Sequence, residues 1–124
     1  MADSLALHHV SLVVADTQRA LDFYVGIIGL QVDDSRPDMS FDGAWLVVGA
    51  QQIHLLEVPN PDPVQGRPQH GGRDRHTAFQ VQSLAPFIER LEAQGIAYTM
   101  SKSGRRALFC RDPDGNACEL VETA

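Results

Sequence analysis

The sequence contains one unit twice, and this internal repeat limits the fold more than any other feature. "HVSLVVADTQRALDFYVGIIGLQV" from His9 aligns with "HTAFQVQSLAPFIERLEAQGIAYT" from His76. Each copy begins with histidine, alternates as a strand as far as Val14 or Val81, turns, and enters a helix with apolar residues at helical spacing. Ala20, Leu21, Tyr24 and Ile28 mark the first helix, and Phe87, Ile88 and Leu91 the second. Gly29 and Gly95 supply the stops. Asp16 or Thr17 is the expected cap of the first helix and Ser83 that of the second. Two further extended segments follow each helix: "AWLVVG" and "QQIHLLEV" in the first copy, "RALFCR" and "ACELVE" in the second. The turns "GAQ" and "DPDGN" join them.

The repeat assigns chemistry to four positions. With "IHLLE" set on "CELVE", His54 and Glu119 share a slot, as His9 and His76 already do. In the first strands Val10, Leu12 and Val14, and likewise Thr77, Phe79 and Val81, suit a helix-covered face, so His9 and His76 point the other way. A lone strand histidine is more often a packed residue than a ligand. Three of the five histidines in matching slots weaken that reading. Glu119 weakens it further, because a carboxylate among apolar strand residues is costly to bury without a counter-charge or a metal. His8 and His70 have no match in the repeat; the first is expected exposed at a strand start and the second in a loop. Three imidazoles and one carboxylate suit a divalent transition ion such as Zn, Ni, Fe or Mn, whereas calcium and magnesium prefer shells richer in oxygen.

Bulk properties narrow the partners. A chain of 124 residues suits one domain. Its formal charge of -6 argues against nucleic acid or an anionic membrane as a main partner. There is no signal-like N-terminus and no membrane-length apolar run, so a soluble cytoplasmic protein is expected. Cys110 and Cys118 flank a hairpin-like turn and are expected to be reduced, packed thiols.

"LHHVSLVVADTQRALDFYVGIIGL", "RHTAFQVQSL" and "RDPDGNACELVE" together resemble the vicinal oxygen chelate superfamily, which includes glyoxalase I, methylmalonyl-CoA epimerase, extradiol dioxygenases, fosfomycin-resistance thiol transferases and bleomycin-binding proteins. The resemblance rests on a strand His before Val, a helix ending FY-x-x-x-x-GL, and DPDG followed by a strand Glu. It implies an α+β fold, a single domain over 1–124 built of two βαβββ modules, about 5–58 and 76–123, whose curved mixed sheets form a metal-binding cup. A crossover, 59–75, joins them. The resemblance puts His9, His76 and Glu119 on the family's usual metal positions. His54 departs from it, since glyoxalase I commonly has glutamate there and the epimerase glutamine.

The activity so implied is of the glyoxalase type: a metal-dependent lyase or isomerase that chelates two substrate oxygens and stabilises an enediolate-like intermediate. Glu119, the only carboxylate of the set, is the expected catalytic base as well as a ligand. The alternatives are an extradiol-type dioxygenase using Fe(II) with two His and one carboxylate, and a drug- or metabolite-binding resistance protein. The partner expected is a small molecule. Arg73 or Arg75 in the crossover would meet a substrate anion if the crossover serves as a lid. Arg105 and Arg106 are alternative anion contacts, and Phe109 is a candidate wall residue beside Trp45. The crossover is long and carries Pro59, Pro61 and Pro63, which favours reach over tight fold-back. The expected assembly is therefore a homodimer with shared sites, His9 and His54 coming from one chain and His76 and Glu119 from the other.

Overall fold

The computed structural model describes residues 3–123. The first half runs β1 (His9–Val14), α1 (Thr17–Phe23), a π-helical turn (Tyr24–Ile28), β2 (Gln31–Val32), β3 (Gly43–Val48) and β4 (Gln51–Glu57). The second runs β5 (His76–Val81), α2 (Ala85–Ala93), β6 (Tyr98–Met100), β7 (Ala107–Arg111) and β8 (Ala117–Glu122). A 3-10 turn, Gly71–Arg73, lies between the halves. Each half forms a four-stranded mixed sheet, ordered β1-β4-β3-β2 and β5-β8-β7-β6. In both, the first strand pairs parallel with the last, because a helix separates them in the chain. Neither sheet closes into a barrel, and among the described residues no helix is long and apolar enough to cross a membrane.

Strand alternation sends one face of each sheet to the core. Val14, Leu46, Ile53 and Leu55 of the first sheet and Phe79, Leu108, Cys118 and Leu120 of the second are buried with Ala20, Phe23, Tyr24 and Leu91 in one cluster. Burying each large aliphatic side chain is worth about 1.5–3 kcal/mol, so these facing rows are the main source of cohesion between sheets and helices.

The repeat extends to the capping of its helices. Glu57, the last residue of β4, accepts from the Thr17 backbone N–H at 2.8 Å and from the Thr17 hydroxyl at 3.1 Å. Glu122, at the end of β8, accepts from the Leu84 N–H at 2.9 Å. Each module thus uses the glutamate of its last strand to satisfy an orphan donor at the start of its own helix. Asp16 is the local cap of α1, accepting from Arg19 N at 3.0 Å. The expected Ser83 cap of α2 is not the observed one: Leu84 occupies the cap position, and Ser83 only receives a long bond from Ala85 N at 3.3 Å. Glu122 has taken the role that Ser83 would have filled. The expected helix stop is found at Gly29, whose φ of 91° is open to glycine at little cost.

The DPDG turn fastens one half to the other. Tyr24 donates its hydroxyl to Asp112 at 2.8 Å, Ala15 N donates to Asp114 at 3.0 Å, and the Asn116 amide donates to the Val13 carbonyl at 3.2 Å. Burial raises the Asp112 carboxyl, an effect opposed by the bonds from Asn116 and Tyr24. Cys110 and Cys118 face each other across β7 and β8 and are both free and buried. Burial pushes the Cys110 thiol up to about 12 and raises Cys118 as well, which makes both poor nucleophiles.

Candidate functional site

The face of the first sheet turned away from the core carries a stack of three rings. In the strand register Ser11 lies beside His54, His54 beside Trp45, and His9 beside Gln52, so these side chains share one face. His54 is sandwiched between His9, at 4.0 Å and 14°, and Trp45, at 4.3 Å and 7°. Partial burial, with His9, His8 and Arg36 nearby, lowers the pKa of His54 below the ordinary histidine value. A neutral imidazole is the form that binds metal. Gln52 bonds the His54 ring at Nε2, 2.9 Å away. His8 is exposed, as expected, yet its Nδ1 lies 2.8 Å from that of His9.

The corresponding face of the second sheet carries a carboxylate. Ala78, Glu119, Phe109 and Thr99 lie in one row across β5, β8, β7 and β6. Glu119 is 3% exposed. Its Oε2 accepts from Arg105 at 2.8 Å, and its Oε1 lies 3.2 Å from His76 Nε2. His76 Nδ1 is 2.8 Å from the Asp74 carbonyl. A carbonyl only accepts, so Nδ1 carries the proton, and in the neutral ring Nε2 then presents a lone pair to the carboxylate. Two acceptors hold that distance when a proton or a cation lies between them. Two donors each about 2.1 Å from one metal ion are themselves about 3.0–3.4 Å apart for octahedral to tetrahedral angles. The 3.2 Å separation therefore fits a divalent ion.

Asp74 supports this arrangement from the crossover. Its carboxylate accepts from Arg67 at 2.8 and 2.9 Å and from Arg111 at 2.9 Å. The Arg67 guanidinium, seconded by Arg111, holds the Asp74 carboxyl well below the usual carboxylate range. This clamp ties the segment leading into His76 to β7, and with it the carbonyl that sets the His76 tautomer.

Of the four candidate ligands, His9 meets His54 on one sheet and His76 meets Glu119 on the other. Within one chain the pairs do not join: among the described residues no three His, Cys, Asp or Glu side chains are grouped so as to hold a metal. The anion candidates are separated by their partners. Arg75 pairs with Asp62, and Arg106 with Glu122 on the core-facing side of β8, away from Glu119. Arg73 is exposed at the end of the 3-10 turn. Arg105 is the arginine beside the carboxylate. Phe109 is buried between His70 and His76, each edge-on to it, and His70 bonds Thr99 at 2.7 Å. Gln52 and Asp74 escaped sequence reasoning because they act on a histidine and have no matching slot in the repeat. Their only signal is position, each two residues before a candidate ligand.

Comparison with known proteins agrees with this architecture. The family model described as Glyoxalase/Bleomycin resistance protein/Dioxygenase superfamily matches residues 6–120. "Glyoxylase I 4" of Arabidopsis thaliana is 31% identical, over 93% of this chain and 69% of that protein. The "Lactoylglutathione lyase" of Escherichia coli O157:H7 is 26% identical, over 95% and 93% of the two chains. Among solved structures, a glyoxalase family protein from Bacillus anthracis superposes with a TM-score of 0.75 at 25% identity, covering 100% of both chains. A Listeria monocytogenes fosfomycin resistance protein complexed with Mn(II) shares the fold, with a TM-score of 0.74 at 22% identity, over 100% of this chain and 95% of that one.

Proposed function

The chain belongs to the Glyoxalase/Bleomycin resistance protein/Dioxygenase superfamily, and on that premise we propose that it is a divalent-metal-dependent lyase or isomerase of the glyoxalase type acting on a small molecule with neighbouring oxygens. The observation that carries this reading is the approach of the His76 Nε2 lone pair to Glu119 Oε1 at 3.2 Å. His9 and His54 complete the donor set. Because the two pairs lie apart in one chain, the set is completed in a homodimer, His9 and His54 of one subunit facing His76 and Glu119 of the other. This is the same pairing across two copies that a repeat protein reaches by exchanging equivalent modules.

A bound divalent ion supplies positive charge where an anion develops beside a substrate carbonyl. Glu119 is the one carboxylate among the four candidate ligands, and it takes the proton removed from the neighbouring carbon. Arg105 holds its Oε2, so Oε1 would be the oxygen that gives up the ion when substrate binds and then receives and returns the proton. His54 stands where a second carboxylate would give a base on the opposite side of the substrate. Proton traffic is therefore one-sided. Phe109 and Trp45 supply flat apolar surface next to the ligands, which limits water around the reacting carbon.

The test is elemental analysis of the purified protein, followed by assays with S-lactoylglutathione in deuterated water after loading with Zn, Ni, Mn or Fe(II). Metal in proportion to chain, and exchange of solvent deuterium into the carbon beside the thioester carbonyl, are the expected results. Oxygen uptake by the Fe(II) form in place of proton exchange would transfer the site to ring-cleaving chemistry. Absence of metal binding would reduce it to a ligand-binding cup.

A further inference from the structure

We infer that Asp33 and Gln52 are positioning residues for His54, fixing it as the Nε2–H tautomer and leaving Nδ1 as the nitrogen that carries its lone pair. Three constraints lead there. The first is the plane of the ring: stacking on His9 and on Trp45, at 4.0 and 4.3 Å, holds His54 parallel to both. Stacking alone leaves two orientations, because a half-turn about the last side-chain bond returns the ring to the same plane with nitrogens and carbons exchanged.

The second constraint selects the edge. His54 Nε2 lies 2.9 Å from Gln52 Oε1, whereas the half-turned ring would offer a carbon there. The third settles which end of the Gln52 amide faces the ring. Gln52 Nε2 donates to Asp33 Oδ2 at 2.6 Å, while Asp33 Oδ1 accepts from the Ser35 N–H at 2.9 Å and the Ser35 hydroxyl at 2.7 Å. An ionised carboxylate only accepts, so the amide NH2 must face Asp33 and the carbonyl must face His54. The ring nitrogen opposite a carbonyl donates. The chain of donors thus runs from His54 to Gln52 and from Gln52 to Asp33, and each direction follows from the one beyond it.

The consequence is an unlike pair of ligands. His76 is fixed with Nδ1–H on the Asp74 carbonyl and offers Nε2. His54 is fixed the other way and offers Nδ1. That His54 Nδ1 meets a metal rests on the reading proposed above; the tautomer does not. Partners that orient a ligating histidine are typically worth about 10–100-fold in metal affinity.

The experiment uses the intact protein in two arms. In the metal-free, nitrogen-15-labelled protein above neutral pH, long-range proton–nitrogen correlation of the histidine rings, assigned by loss of signals in His54→Ala, should show His54 as the Nε2–H tautomer. In Gln52→Leu that preference should disappear, and in the double variant Asp33→Asn with Gln52→Glu, which again sets a donor facing an acceptor, it should return. An Nδ1–H tautomer in the unsubstituted protein overturns the inference without reference to metal. In the second arm Co(II) is titrated and followed by its visible absorption. Gln52→Leu should weaken binding about 10-fold or more, with circular dichroism unchanged, and the double variant should recover it. If His54→Ala weakens Co(II) but Gln52→Leu does not, the positioning role is overturned. If neither weakens it while the tautomer is as stated, the reading of His54 as a ligand fails and the hydrogen-bond assignment stands.

Discussion

The two halves repeat one backbone plan and diverge on the faces that the plan leaves uncovered. Ser11, His54 and Trp45 of the first sheet stand in the register that Ala78, Glu119 and Phe109 occupy in the second. Both last strands end in a glutamate that caps the helix of its own module. The core side is conserved between the halves in role: aliphatic rows, a strand-end cap and a glycine stop. On the ligand side, the first half has aromatic rings stacked on one another, whereas the second has a buried carboxylate between a histidine and an arginine. The repeat therefore shares the parts that backbone and burial enforce, and the positions on the other face of each sheet carry different chemistry.

That contrast is sharpest in catalysis. Replacing Glu119 by Gln should lower turnover of the metal-loaded protein about 10²–10⁴-fold, the range for losing a general base. Metal affinity should fall far less, because three imidazoles remain. His54→Gln, at the matching slot, should do the reverse and weaken metal more than it slows the bound enzyme. Equal losses of both properties in both variants, measured by metal titration beside steady-state kinetics, would erase the division of labour between the halves.

Entry to the two first strands also differs. Residues 3–8 before β1 are exposed, whereas the segment before β5 is clamped through Asp74. Asp74→Asn leaves two partly buried guanidinium groups without their carboxylate and should cost about 3 kcal/mol in urea unfolding at neutral pH. The folded-state pKa of Asp74 is depressed. Its contribution is thus complete above the unfolded aspartate value of about 3.9 and is lost as pH falls below that value towards the folded one. The gap between variant and parent should accordingly close on acidification, and a gap that is independent of pH would show that the clamp is not ionic.

Smaller effects probe the links between and within the halves. Tyr24→Phe removes one donor to buried Asp112, which keeps its bonds from Asn116 and Asp114. A loss of about 1–2 kcal/mol is expected, visible as a lower Tm. Glu57→Ala should cost about 1 kcal/mol, the usual range for a cap, and Glu122→Ala should lower Tm by a similar amount. Near-equal values would support the repeat as an energetic unit, while a large loss at one position alone would show that the two glutamates do different work.

The repeat made most of the fold legible in the sequence. Strand alternation around His9 and His76 gave the correct face for both, and the pairing of His54 with Glu119 followed from aligning "IHLLE" with "CELVE". Periodicity could not disclose contacts between residues distant in the chain. Glu57 and Glu122 reach helices that begin about forty positions earlier, and nothing local marks them as caps. Asp33, just after β2, and Gln52, in β4, meet only once β2, β3 and β4 have assembled. For the same reason the adjacent Arg105 and Arg106 were not separable by type or spacing. They part because they leave the chain towards opposite faces, one to Glu119 and one to Glu122.

The central claim is that each half of one chain supplies half of a metal centre completed by a second copy. Mixing a His9→Ala protein with a Glu119→Ala protein under conditions of subunit exchange tests it directly, with turnover of the metal-loaded mixture as the readout. Shared sites predict that each mixed dimer regains one intact centre, built from His9 and His54 of the Glu119→Ala subunit and His76 and Glu119 of the His9→Ala subunit, beside one centre lacking both residues. If each chain builds its own centre, every site in the mixture lacks a ligand, and no turnover beyond that of the separate variants will return.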